Sequence, residues 1–288
     1  MIAITAAAGT TERHVLRALR SADFPVRALV HSAARAETVR AEGAREAVVA
    51  DMTHPGELPA AFDGCSAVVH VGPPMHPREI TMGQNVIDAA ERAGVEHVVL
   101  MSVTHPQLEP LLNHQSKLAV ERHLLASRLP FTILQPMHYM QNVNVPECLA
   151  CGRFTQPYSL ERPLSFVDLA DVGAVAATVL SAPREHTWAT YELCGTDTLT
   201  GHDIAEVLTR VSGTPVRAEQ VPVEAMLPEG APDYTIDGFT RLADQYDRYG
   251  ILGNPNVLRW LLSREPTTFA EYVRRELGRK PPAIQFVS

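Results

Sequence analysis

Short apolar runs alternate with helical patterns from the start of this 288-residue chain to about residue 136. Apolar runs separated by helix-length segments are typical of consecutive βαβ units, in which the strands lie parallel in one sheet. The runs are residues 2–5, 26–30, 47–50, 67–71, 97–101 and 131–134. The alternation therefore predicts an α/β protein with a Rossmann-type doubly wound parallel sheet of six strands over residues 1–136.

The pattern changes after residue 136, where proline and aromatic residues become frequent. Thr200 followed by Asp203 resembles a capping box with Asp in place of Glu, which marks a helix start. We expect residues 137–288 to form a smaller substrate-covering region over the carboxyl edge of the sheet, with residues 164–193 contributing elements back to the core. Helical periodicity predicts helices over residues 167–181, 200–212 and 267–277.

Composition argues against several classes of ligand. A formal net charge of -8 is unfavourable for binding nucleic acid, which selects basic surfaces. No apolar segment has membrane-spanning length and the first residues run directly into a strand pattern, so we expect a cytoplasmic protein without a membrane partner. Cys148 and Cys151 form a C-x-x-C pair without a second ligand pair nearby, so no metal is expected. We expect a monomer or a homodimer.

The segment after the first apolar run is where a dinucleotide site needs glycines, because backbone amides must approach the pyrophosphate closely. Set against G-x-x-G-x-x-G, Ala6 and Glu12 take the first and third glycine positions, and Gly9 alone remains. A carboxylate about 4 Å from a phosphate charge would repel it by about 4 kcal/mol at an effective dielectric constant of 20. Either Glu12 caps its own helix and stands in for the missing phosphate, or it turns outward and the cofactor binds through Gly9 and the two threonines that follow.

The second strand pattern is followed by His31, where an NAD-binding protein would place an acidic residue on the ribose hydroxyls. Arg27 and Arg35 lie nearby and would suit the 2′-phosphate of NADP. Surface arginines without a ligand are the commoner case for such positions. If a nicotinamide cofactor binds, the sequence slightly favours NADP over NAD.

Several stretches, taken together in order, are more specific than the glycine loop. They are residues 72–79 (GPPMHPRE), 88–97 (DAAERAGVEH), 102–106 (SVTHP), 113–117 (NHQSK) and 132–142 (TILQPMHYMQN). These residues resemble the NmrA-like branch of the atypical short-chain dehydrogenases/reductases. The resemblance implies a Rossmann domain that binds NADP or NAD and a cleft under the C-terminal region. Some members of that family reduce carbonyls or quinones, and others bind the cofactor as redox sensors or repressor partners.

By matching position, the resemblance also implies which residues contact each part of the dinucleotide. The loop that starts at Gly9 would face the pyrophosphate, His31 the adenosine ribose and Asp51 the adenine. The chain departs from the family at Ala6, at Glu12 and in lacking an arginine directly after the second strand. The full set of expected cofactor residues is Gly9, Thr10, Thr11, Glu12, His31, Asp51, Met52, Gly72, Pro73, Pro74, Ser102, Lys117, Pro136 and Met137.

Standard short-chain dehydrogenases place a tyrosine four residues before a lysine, and the lysine lowers the pKa of the phenol that transfers the proton. Here Asn113 lies four residues before Lys117, so that proton donor is absent. We expect His114, Lys117 and Tyr139 to be catalytic, with His114 as the substitute acid or base because its unperturbed pKa is near neutrality. Substrate contacts are expected from His76, Thr104, His114, Tyr139 and Asn142.

Each catalytic candidate has a structural alternative. His114 would also suit the start of a helix, with its ring hydrogen-bonded to a carbonyl. Lys117 would also suit an ion pair with Glu121, four residues along the same helix. Tyr139 would also suit packing in the core.

Three functions follow from these observations. The first is an NAD(P)H-dependent oxidoreductase acting on a small hydrophobic carbonyl or quinone-type substrate. The second is a cofactor-independent acid/base enzyme, a lyase, isomerase or cyclase that reuses the cleft because Ala6 and Glu12 impair dinucleotide binding. The third is a non-catalytic NAD(P) or ligand sensor. The family resemblance favours the reductase, and the altered glycine loop favours the other two.

Overall fold

The computed structural model describes residues 1–278 and contains a large parallel sheet with helices on both faces. Strand propensity and burial coincide in most of its strands, which are rich in valine, isoleucine and leucine. The strands are β1 (Ile2–Ile4), β2 (Val26–Val30), β3 (Glu46–Val49), β4 (Ala67–Val71), β5 (His97–Met101), β6 (Phe131–Pro136), β7 (His138–Tyr139), β8 (Arg153–Gln156), β9 (Leu164–Val167), β10 (Ala189–Leu193), β11 (Thr198–Leu199) and β12 (Arg217–Gln220).

The central sheet has seven strands in the order β10-β6-β5-β4-β1-β2-β3, and every neighbouring pair is parallel. The strand order reverses between β1 and β4, which is where doubly wound sheets bind ligands at their carboxyl ends. The predicted α/β class and doubly wound sheet are confirmed. The six strands predicted over residues 1–136 are present as β1 to β6, and β10, from the later part of the chain, adds a seventh by pairing with β6, with Tyr191 opposite Leu134.

Helices cover both faces of this sheet. Alternate residues of β1 point to opposite sides, so Ile2 and Ile4 pack with helices on one face of the sheet and Ala3 packs with helices on the other face. The helices are α1 (Thr10–Ser21), α2 (Ala33–Ala41), α3 (Leu58–Phe62), α4 (Glu79–Arg92), α5 (Leu112–Ala126), α6 (Val145–Cys151), α7 (Leu169–Ser181), α8 (Gly201–Ser212), α9 (Asp233–Tyr249), α10 (Asn256–Leu262) and α11 (Phe269–Gly278).

The three helices predicted after residue 136 are present as α7, α8 and α11, with starts one or two residues later. Two of the later starts, those of α7 and α8, have a capping reason. Asp168 accepts a hydrogen bond from the amide of Ala170 at 3.0 Å and is the N-cap of α7. Thr200 and Asp203 form the expected capping box at the start of α8.

Elements after residue 136 return to the Rossmann core as well as covering it. Helix α7 packs closely on α1, and glycine at position 173 makes this possible. A Cβ at that position would lie only 2.8 Å from the carbonyl oxygen of His14 in α1. Buried Asp168 binds Arg275 of α11 through a 2.6 Å ion pair, which ties the end of the described chain to the start of α7. Residues 279–288, the last part of the predicted substrate-covering region, lie outside the described residues.

Helix α9 lies against the loop that follows β4. Thr235 donates a hydrogen bond to the carbonyl oxygen of Met75 at 3.5 Å. Gly238 faces the same methionine, whose Sδ would lie 2.5 Å from a Cβ at that position. Glycine at position 238 therefore allows the helix to approach the loop at the carboxyl edge of the sheet.

Candidate functional site

The loop between β1 and α1 has the geometry of a phosphate-binding turn built with one unusual residue. Ala6 has a φ of 50°, in the left-handed region that favours glycine. Gly9 precedes α1 as its N-cap and supplies no side-chain cap. The first amide groups of α1 are therefore open to an acceptor other than a capping side chain.

The side chain of Glu12 folds back over Gly9 and supplies that acceptor. A Cβ at position 9 would lie 2.8 Å from Cδ of Glu12 and 3.0 Å from its Oε1. Glu12 is only 6% exposed, so it does not turn outward into solvent. Burial raises the pKa of Glu12 from 4.5 to about 7, against the opposing effects of a hydrogen bond from its own backbone amide and the positive charge of Lys117.

Lys117 of α5 forms an ion pair with Glu79, the first residue of α4. Its Nζ lies 2.8 Å from Oε1 of Glu79, and the two side chains are 12% and 2% exposed. The same Nζ lies 3.4 Å from the carbonyl oxygen of Gly72, to which it donates. The alternative pairing with Glu121 is wrong, because Glu121 instead accepts a hydrogen bond from Gln135 at 2.8 Å.

The contact between Lys117 and Gly72 explains why glycine occupies position 72. A Cβ there would lie 3.2 Å from Nζ of Lys117 and 3.3 Å from Oε1 of Glu79. Two residues earlier, in β4, His70 shares a 2.9 Å hydrogen bond with Thr5 of β1. Burial and the charge of Lys117 lower the pKa of His70 to about 3, so this imidazole is neutral and Lys117 is the cation of the cluster.

Tyr139 of β7 lies close to Glu12. A hydrogen bond with Thr11 and the nearby Glu12 carboxyl place its phenol beside the first turn of α1. Burial, with a contribution from Glu12, raises the pKa of Tyr139 above its ordinary value. Its ring also packs against the core, so the structure combines the two roles considered for this residue.

His114 occupies a structural position at the start of α5. Its Nδ1 donates a hydrogen bond to the carbonyl oxygen of His105 at 2.9 Å, and the residue is 1% exposed. Burial lowers the pKa of His114 to about 4. A neutral imidazole that donates its proton to a carbonyl is a poor acid at pH 7, so the expected role as substitute proton donor does not fit this geometry.

Among residues 1–278, several buried polar atoms near this edge have no hydrogen-bond partner. They are Oγ of Ser102, directly after β5, Oδ1 of Asn113, at the start of α5, and the two carboxylate oxygens of Glu79, of which Oε1 is met by the charge of Lys117. Buried polar atoms without partners are uncommon and are candidates for ligand contacts. By contrast, Thr104 is fully buried and donates to the Gln135 carbonyl at 2.6 Å, so the expected substrate contact is not available to its hydroxyl.

The expected adenosine contacts lie at the ends of β2 and β3. His31 and Asp51 are exposed, and Met52 is half-buried with its carbonyl oxygen bound by Asn85 at 2.9 Å. Arg27 is not available for a 2′-phosphate, because it binds Glu46 at 2.6 Å and nearby carbonyl oxygens.

The remaining expected residues are divided between the edge of the site and the core. Met137 is buried, and its amide donates to the Leu193 carbonyl at 2.9 Å. His76 accepts a hydrogen bond from the amide of Arg78, and exposed Asn142 donates to Nε2 of His138 at 3.2 Å. Buried Pro136, half-buried Pro73 and exposed Pro74 complete the set, with exposed Thr10 at the start of α1.

Glu79 was not among the site residues expected from the sequence, and Asn113 was noted only as the residue in place of the usual tyrosine. Glu79 lies 38 positions before its partner Lys117, so no helical spacing links the two residues. A glutamate that directly follows a proline-rich loop at the carboxyl edge was the available signal.

The residues present fit a dinucleotide once the Glu12 carboxyl leaves its place over Gly9. The open first turn of α1, the close backbone approach at Gly72 and the partnerless Ser102 hydroxyl all suit such a ligand. Within residues 1–278, no group of three or more metal-ligating side chains is suited to hold an ion. In the same part of the chain, no helix has the length and apolar character needed to cross a membrane.

Comparison with known proteins gives consistent results along the chain. The sequence profile of the NmrA-like family matches residues 1–273. An NAD(P)H azoreductase from Xenophilus azovorans is 30% identical, over 95% of this chain and 97% of its own length. Quinone oxidoreductase 2 from Escherichia coli is 27% identical, over 95% of this chain and 97% of its own length.

Two solved structures show the same fold. The NADPH-dependent quinone oxidoreductase from Escherichia coli, complexed with NADPH, has a TM-score of 0.82 at 26% identity and covers 96% of this chain and 100% of its own. The Citrobacter triphenylmethane reductase complexed with NADP(H) has a TM-score of 0.81 at 24% identity, over 96% of this chain and 99% of its own.

Proposed function

Because the chain belongs to the NmrA-like family, we propose that it is an NAD(P)H-dependent oxidoreductase that reduces a small hydrophobic carbonyl or quinone-type compound. The observation that carries this proposal is the mostly buried ammonium of Lys117, held by Glu79 beside Gly72 at the carboxyl edge of the sheet. Near full-length similarity to an NAD(P)H azoreductase and a quinone oxidoreductase supports the reaction class.

The cofactor would lie along the carboxyl edge, with its pyrophosphate at the start of α1 and its nicotinamide half near Gly72 and Met137. When bound, NADPH or NADH supplies a hydride to the substrate. Asp51 and Met52 would flank the adenine. Arg27 is paired with Glu46 and so is not free to bind the 2′-phosphate of NADP. Of the two arginines that favoured NADP, this leaves exposed Arg35.

Lys117 is the group best placed to act on a substrate oxygen. Its ammonium would stabilise the negative charge that develops when a carbonyl or quinone is reduced, and would donate the proton that completes the product. Glu79 holds the ammonium in place through the 2.8 Å ion pair. Tyr139, whose pKa is raised, would orient the substrate as a hydrogen-bond donor rather than ionise.

Apolar groups around this edge support a hydrophobic substrate. Met75 is nearly buried beneath α9, and Met137 directly follows β6, where its Cε and the Sγ of Cys194 both lie beside Gly253. Methionine side chains adapt to planar apolar ligands because the thioether is flexible and polarisable. A cover of this kind would exclude water from the reacting carbonyl.

One observation favours a second function, a cofactor-independent acid/base enzyme. Glu12 is buried at the start of α1 with a pKa near 7. The charge of Lys117 acts on Glu12, and Glu12 in turn raises the pKa of Tyr139, so the three side chains are close together. Carboxyls with a pKa near the working pH are typical general acids and bases. In this function Glu12 would move a proton of the substrate, and no nucleotide would bind.

Calorimetric titration with NADPH and NADH tests the choice between these functions. We expect binding with a Kd below about 1 mM, followed by quinone-dependent loss of NADPH absorbance when a naphthoquinone is added. Lys117→Met is expected to lower the rate at least tenfold, while Glu96→Gln, exposed at the opposite edge of the sheet, leaves it unchanged. Absence of binding by both nucleotides at pH 6 to 8.5 would exclude the reductase and leave the acid/base enzyme.

A further inference from the structure

The Glu12 carboxyl lies where the first turn of α1 is open to an anion. Gly9, the N-cap residue, contributes no side chain, and Glu12 accepts a hydrogen bond from its own backbone amide instead. A single added carbon at Gly9 would lie within 3.0 Å of the carboxyl carbon and Oε1. A phosphate group and this carboxyl therefore cannot both occupy the space beside Gly9 at the start of α1.

The groups that face Glu12 offer little compensation for its negative charge. Lys117 of α5 is the cation that acts on it, and that charge is shared with buried Glu79 of α4. Tyr139 of β7 and Thr11 of α1 are uncharged. His70 of β4, whose pKa is lowered by burial and by the charge of Lys117, is neutral. Burial consequently dominates and raises the pKa of Glu12 to about 7.

We propose that Glu12 is a built-in competitor for the cofactor pyrophosphate, and that a dinucleotide binds only to the protein in which this carboxyl is protonated and displaced from Gly9. Nucleotide binding above pH 7 is then coupled to the uptake of one proton. This inference rests on the proposed function, because it concerns the cofactor that the reductase would use.

The position of Glu12 on its helix explains why the displaced carboxyl remains neutral. Thr11, Val15 and Leu16 are buried, so the first turns of α1 are fixed against the sheet and the stem of Glu12 cannot retreat. A carboxyl on that stem stays within a few ångströms of the phosphate oxygens. As a neutral acid it would donate a hydrogen bond to them, whereas as an anion it would repel them.

Isothermal titration of the full chain with NADH tests the coupling. NADH is the appropriate probe because it lacks the 2′-phosphate of NADPH, which itself titrates near pH 6. With a Glu12 pKa of about 7, linkage predicts a Kd about 30-fold higher at pH 8.5 than at pH 6. Titrations in two buffers of different ionisation enthalpy are expected to show uptake approaching one proton at pH 8.5 and little uptake at pH 6.

Glu12→Gln is the matched variant, because it keeps the size of the side chain and removes the titration. It is expected to bind NADH with the same Kd at both pH values and without proton uptake, while Glu96→Gln behaves like the unmodified protein. Binding without pH dependence, or with proton release near pH 6, would overturn the inference and leave the reductase proposal intact. Absence of NADH and NADPH binding by both the unmodified protein and Glu12→Gln would overturn both proposals.

Discussion

Lys117 and Glu79 form an ion pair that is nearly closed to water, although the two residues belong to different helices. Removing one partner of a buried pair leaves an uncompensated charge, and this is more costly than losing the attraction itself. The pair therefore supports the packing of α4 against α5 as well as the site.

Lys117→Met is expected to lower the free energy of unfolding by about 3 kcal/mol, because the Glu79 carboxylate remains buried without its cation. Urea denaturation at pH 7 measures the loss. Arg210→Met is the control, since Arg210 pairs with Glu206 across 3.9 Å on an exposed surface and should change stability by less than about 1 kcal/mol. Equal effects of the two substitutions would contradict the buried pair.

Glu12 is expected to make the stability of the protein fall as the pH rises from about 5 to 8. Its folded pKa of about 7 lies above the unfolded value of 4.5, so the folded state binds more protons in this window and loses that advantage as the pH rises through 7. Glu12→Gln removes the loss and should be more stable than the unmodified protein by of order 3 kcal/mol at pH 8, with a small difference at pH 5. Denaturation curves at both pH values check this, and a difference that does not vary with pH would show that Glu12 is not buried as an acid.

The position of the carboxyl over Gly9 predicts an energetic coupling between the two residues. Gly9→Ala is expected to destabilise the protein because the new Cβ meets the Glu12 carboxyl. In a Glu12→Ala background the same change should cost less, giving a coupling energy of about 1–2 kcal/mol in a double-mutant cycle. Pairing Gly9→Ala with Glu96→Ala provides the control, for which additive effects are expected. If the effects of Gly9→Ala and Glu12→Ala were additive, the Glu12 carboxyl would not lie against position 9.

Ala6→Gly is expected to stabilise the protein by about 1 kcal/mol, because Ala6 has a φ of 50° and glycine adopts that conformation without the Cβ penalty. Ala8→Gly in the same loop is the control. Ala8 has no positive φ, so glycine there should lower stability through the greater freedom of the unfolded chain. Thermal unfolding of both variants gives opposite shifts if the strain at Ala6 is real.

The sequence was sufficient to predict the elements that are buried on both sides. Apolar runs mark the first six strands of the main sheet, of which β1, β4, β5 and β6 are buried throughout, and their alternation with helices is typical of a doubly wound sheet. Strand β10 escaped detection because its residues are half-exposed and polar residues alternate with apolar ones, as expected at a sheet edge. Its place depends on pairing with β6 and not on its own composition.

The site was less predictable because its pairings are distant in sequence. Local spacing suggested Lys117 with Glu121, whereas the fold brings Glu79 to Lys117 and leaves Glu121 for Gln135. Whether the Glu12 side chain turns inward or outward depends on the space beside Gly9, and residue spacing in the sequence does not give that space. His114 shows the opposite case, because its bond to a nearby loop carbonyl was one of the alternatives its helix-start position suggested.

The late arrival of β10 also affects how this chain is made. During synthesis, residues 131–136 emerge long before residues 189–193. Until β10 is made, β6 is therefore an unpaired edge strand, although all of its residues are buried in the complete fold. Unpaired apolar edges pair readily with other chains. A nascent or truncated chain that ends before β10 would therefore be prone to aggregation, and chaperone dependence of expression would concentrate in this interval of translation.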